Sequence, residues 1–169
     1  MSVVPILLEI RDWLPFLYSL LFVVSIGVFK KHTSLSLIVV LLALFEFISN
    51  AITLPLLDIM NDKSIDYVIR LSAWVGFWVL SNRLIIELLQ RAHEWLNITK
   101  GKELVMVQGA YIGLISLLAI DFINQITFKT IVIDVLYRFG IPTINLSIAG
   151  YLLFAMLKHM EFKKWKAQA

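Results

Sequence analysis

The sequence predicts an all-α membrane protein, a single transmembrane bundle of about five helices with the N-terminus outside and the C-terminus cytoplasmic. Three observations lead there: composition, the spacing of the apolar blocks, and the distribution of the basic residues. Of 169 residues, 60% are hydrophobic and only 16% charged, and mean hydropathy is +0.86; a soluble domain is nearer half apolar and a quarter charged. The apolar residues fall into blocks of about 20, the length that crosses about 30 Å of hydrocarbon as a helix.

The first span covers about Trp13 to Phe29 and stops at Lys30, Lys31 and His32. After that short loop the second covers about Ser34 to Leu57, so the two form a helical hairpin. The acidic stretch Asp58 to Asp66 leads into a third span, about Tyr67 to Gln90, and Gly101 suits the turn that follows. The fourth covers about Glu103 to Gln125 and the fifth about Leu136 to Leu157, ahead of a basic tail over 158–169. Between them Gly140 and Pro142 interrupt an apolar stretch, so residues 127–141 read equally as a surface or re-entrant segment.

Basic residues set the orientation. Lys30, Lys31, Arg91, Lys100, Lys102, Lys158, Lys163, Lys164 and Lys166 fall on one side, which makes that side cytoplasmic, against Arg11, Lys63 and Lys129 on the other. Trp13, Tyr67, Trp74, Trp95, Tyr137 and Trp165 fall near span ends, where an amphipathic ring buries its body and wets its polar atom. Met1 to Ile10 lacks a basic leader, and compactness without targeting signals points to a bacterial-type inner membrane.

Loops this short leave no room for a folded extramembrane domain. The absence of cysteine removes thiolate catalysis, iron–sulfur ligation and zinc–thiolate sites. No HExxH, GxSxG or paired aspartates occur in the spans, so neither an enzyme nor a cofactor is expected. No internal repeat supports a secondary transporter. The net charge of +3 sits at helix ends rather than on a soluble face, which argues against nucleic acid as a partner. His32, His93 and His159 fall near Lys or Arg in the cytoplasmic loops and tail and read as part of a solvated basic face, with no metal site.

Polar residues inside the spans carry the functional expectation. Glu46 lies about 12 residues, roughly 18 Å, into the second span, near mid-membrane, and Asn50 follows one turn later. Arg83, with Asn82 beside it and Glu87 one turn on, lies at a depth within about 8 Å of Glu46. The sequence leaves open whether Arg83 pairs with Glu46 or with Glu87, and whether these residues are structural glue or a pathway. An outer cluster of Arg70, Asp121, Asn124, Gln125, Asp134 and Arg138 reads as an interfacial network or a vestibule.

Gly109 and Gly113 form a GxxxG pair suited to close helix packing, within the chain or between copies. The Val3 to Trp13 stretch and the tail could also lie on the membrane surface. The expectation is therefore a lipid-embedded, homo-oligomeric pore or ion-conducting protein. The alternative is a regulatory, partner-anchoring or immunity-type subunit that contacts a membrane or cytoplasmic protein through its helices.

Overall fold

A computed structural model describes the backbone of residues 4–28 and 33–168 and the side chains of residues 13–26 and 33–159. Lys30, Lys31, His32, the side chains of the tail's Lys163, Lys164, Trp165 and Lys166, and those of the N-terminal stretch before Trp13 lie outside the described residues. The chain forms α1 (Val4–Val28), α2 (Ser34–Asn61), α3 (Tyr67–Trp95), α4 (Lys102–Ile123) and α5 (Ile131–Gln168). Among the described residues, α2 to α5 each contain a segment long and apolar enough to cross a bilayer, and α1 contributes the shorter apolar segment Trp13–Ile26.

The ends of these helices are fixed by local chemistry. Thr33 and Ser36 form a reciprocal capping box at the start of α2. Asp66 accepts from the amides of Val68 and Ile69 at the start of α3. In the loop before it, the Ser64 hydroxyl and amide both donate to Asp62 and hold its carboxyl below the usual range. Inside the helices, Ser19, Ser25, Thr53, Ser116 and Ser147 donate back to carbonyls of the preceding turn, so their hydroxyls enter lipid already bonded.

Consecutive helices pack against each other, and α1 also packs on α5, so the bundle closes into a ring in chain order. The buried stripes advance in steps of three, four or seven residues. On α4 they run Leu104, Val107, Tyr111, Leu114, Leu118 and Asp121; on α3 they include Leu71, Val75, Asn82, Ile85, Leu89 and His93. This is the interlocking spacing of near-parallel helices, with apolar side chains filling the seam.

The opposite faces carry large exposed apolar groups such as Phe16, Leu20, Leu44, Leu80, Ile112 and Phe154. A ring of helices that is apolar outside as well as inside needs lipid as its solvent. The protein is an integral, multi-pass membrane protein.

The segment from 127 to 141 departs from an ordinary loop. Backbone bonding widens at the end of α4, where the Lys129 amide donates to the Asn124 carbonyl at 2.6 Å. Lys129 then takes a left-handed conformation at φ 51°, and α5 begins at Ile131 and runs unbroken through Gly140 and Pro142. Gly140 lets α5 approach α4: a Cβ there would come within 2.8 Å of Leu117 Cδ1.

Candidate functional site: an intramembrane cavity and an external polar groove

The two halves of the bundle are packed differently. Towards the predicted cytoplasmic end, all five helices contribute fully buried side chains, among them Leu21, Leu42, Leu89, Leu104 and Leu152. Towards the predicted outer end they diverge around a cavity of about 290 Å³. Its walls come from every helix: Pro15 on α1, Glu46 and Asn50 on α2, Asn82 on α3, Tyr111 on α4 and Asn145 on α5 are representative.

Glu46 sits where the packed half meets the cavity. It occupies the inward stripe of α2, between the buried Leu42 and Ser49. No hydrogen bond or ion pair to it is found among the described residues. Its nearest electrostatic neighbours are the phenols of Tyr18 and Tyr111, whose hydroxyls are buried and unbonded. The walls are also aromatic: Phe45 stands edge-on to Tyr111 at 6.0 Å, and Trp74 stands edge-on to Trp78 at 5.9 Å. Arg138 borders the cavity and is already paired with Asp134 at 3.0 Å.

Arg83 is not part of this cavity. Successive residues on an α-helix point about 100° apart, so Asn82 faces in and Arg83 faces out. Arg83, Glu87, Gln90, Arg91 and Glu94 instead border an external groove against Ile112 and Ile115 of α4. Within it Arg91 bonds Glu87, and Lys100 bonds Glu94 at 2.8 Å. Neither pairing left open by the sequence forms: Arg83 bonds neither Glu46 nor Glu87, and no partner to it is found among the described residues.

No family model, no curated protein and no solved structure matches the chain. Function has to be read from these side chains alone.

The outer cluster resolves into separate pieces. Arg70 donates to the Met60 carbonyl at 2.6 Å and lies 5.9 Å from the Tyr67 ring centre, so it closes the α2–α3 turn rather than pairing with an acid. Asn124 is 1% exposed. Its carboxamide donates to the Thr130 carbonyl at 3.0 Å and accepts from the Thr130 amide at 2.8 Å and hydroxyl at 2.7 Å. That makes it the clasp of the α4–α5 turn. Asp121 is buried with one carboxylate oxygen unbonded, and Gln125, one turn on, accepts from Tyr67.

The two glycines differ in surroundings. Gly109 faces open space, whereas a Cβ at Gly113 would lie 3.8 Å from Ile144 of α5, an ordinary contact.

One expectation is corrected. His93 is not solvated: it is 1% exposed, with Nδ1 2.6 Å from the Leu89 carbonyl and Nε2 2.9 Å from the Ser34 hydroxyl, tying α3 to the start of α2. Its place four residues beyond Leu89 on the buried stripe was the signal that the neighbouring charges obscured. Trp74 and Tyr137 both line the cavity, and the Trp74 indole lies 3.5 Å from the Tyr137 hydroxyl. Trp95, 88% exposed, stands at the end of α3, and Trp13, 68% exposed, at the start of the apolar segment of α1.

Proposed function

We propose that the protein is a non-enzymatic subunit of a homo-oligomeric, ion-conducting assembly of an inner membrane, with the polar path between copies rather than through one. The observation that carries this reading is the external stripe of Arg83, Glu87, Gln90, Arg91 and Glu94 on a membrane helix. An arginine at mid-span costs about 2.5–3.5 kcal/mol by insertion scales. Arg83 lies roughly 10 Å of helix from Gln90, the cytoplasmic end of the predicted span, so its side chain covers only part of the distance to that interface. Copies meeting along α3 and α4 would replace lipid around this stripe with polar groups and water.

The tightly filled cytoplasmic half of each bundle supports a path between copies, since Leu21, Leu42, Leu89 and Leu152 leave no polar route through it. The same filling supports a second reading, a silent regulatory subunit whose stripe docks on a different membrane protein.

The test is made on one preparation. Mass in detergent, corrected for bound detergent, is followed by release of trapped potassium and chloride from liposomes. A defined oligomer whose flux changes in Arg83→Ala supports the conducting reading. An oligomer without flux, or flux untouched by that substitution, rejects it, and a silent complex with a second protein moves the assignment to regulation.

A further inference from the structure

We infer that the cavity above Glu46 is a binding site for a small organic cation, a protonated or quaternary amine carrying one aromatic ring. This site is independent of the external groove and of conduction.

The chemistry of the walls selects that class. A carboxyl group at mid-membrane depth is either protonated or, when ionised, met by positive charge or strong donors, and none of the described residues bonds it. Arg138, the one basic residue on the walls among the described residues, lies towards the outer border and is held by Asp134. A cation entering the cavity would give the ionised Glu46 the complement that none of the described residues supplies.

The remaining walls suit such a guest. Aromatic faces attract a cation through their quadrupole, most strongly tryptophan, and Trp74, Trp78 and Tyr137 lie between the border and Glu46. Two buried polar atoms on the walls also lack partners, the Tyr111 hydroxyl and the Trp78 indole nitrogen. Buried groups of this kind are ordinarily bonded, to protein, water or ligand. A volume of about 290 Å³ lies at the small end of the range for ligand sites, which limits the guest to a compact molecule.

The test uses the full chain in lipid nanodiscs and tritiated benzyltrimethylammonium as the probe. Saturable binding of one probe per chain is expected. It should be displaced by unlabelled benzyltrimethylammonium and not by benzyl alcohol at the same concentration. Glu46→Gln, which keeps the shape and removes the charge, should weaken binding at least tenfold, whereas Leu80→Ala, on the lipid-facing side of α3, should leave it unchanged. Absence of saturable binding to the wild-type protein overturns the assignment. So does equal displacement by benzyl alcohol, a comparison that needs no variant to fold, and so does undiminished binding in a folded Glu46→Gln protein.

Discussion

Asn124→Leu should lower the thermal unfolding midpoint in detergent by about 6–12 °C, followed by circular dichroism. The side chain makes three hydrogen bonds to Thr130, each worth about 1 kcal/mol net, so their loss amounts to about 3 kcal/mol. For a chain of this size each kcal/mol moves the midpoint by about 2–4 °C. The clasp also holds Lys129 in its left-handed conformation at φ 51°, which costs a non-glycine residue about 1–2 kcal/mol. Without the Asn124 side chain, only the Lys129 amide bond to the residue-124 carbonyl remains to offset that cost.

The conservative variant separates bonding from packing. Asn124→Asp keeps the oxygen that accepts from the Thr130 amide and hydroxyl, and turns the donation to the Thr130 carbonyl into a contact between two acceptors unless the new acid is protonated. Its carboxylate would also face the amide end of α5, where negative charge is favoured. It should therefore cost less than half of what leucine costs. Equal losses for the two variants would show that volume, not hydrogen bonding, holds the turn.

The second large effect falls on assembly. Arg83→Leu/Glu87→Leu should release monomers, with the apparent association constant falling on the order of 100-fold. The reasoning is differential: the stripe is costly only while lipid surrounds it. Removing about 2.5–3.5 kcal/mol of that cost from the separated chain favours separation by about tenfold for each 1.4 kcal/mol. Mass measured across a dilution series in nanodiscs or mild detergent reads the shift. A double variant that stays assembled at the wild-type midpoint would locate the contact elsewhere.

The bundle was largely legible from the sequence because lipid imposes it. A run of about 20 apolar residues bounded by charge has few alternatives to a spanning helix. Position along a helix axis is a count of residues, which puts Glu46 well inside α2. Rotation about that axis was the part misread. Asn82 and Arg83 share a depth, yet the stripe through Val75, Asn82, Ile85 and Leu89 turns the first inward and leaves the second outside.

The same rotation places Trp74, Tyr137 and His93. Distance to a helix end, or for His93 the charges beside it, does not reveal the side of the helix on which each falls. The α4–α5 turn was illegible for a different reason. Its geometry depends on a side-chain clasp between Asn124 and Thr130, six residues apart, and no periodicity encodes that contact.

The assembly proposed along α3 and α4 is tested most directly by cross-linking in native membranes, because the chain has no cysteine of its own. Single substitutions Gln90→Cys and Ile112→Cys place a thiol on the external groove, and Leu20→Cys and Phe154→Cys place one on the exposed faces of α1 and α5. Copies that meet along the groove give disulfide-linked dimers at the first two positions and none at the others. Dimers only at Leu20→Cys or Phe154→Cys, or at no position, would contradict the shared groove on which the proposed function rests.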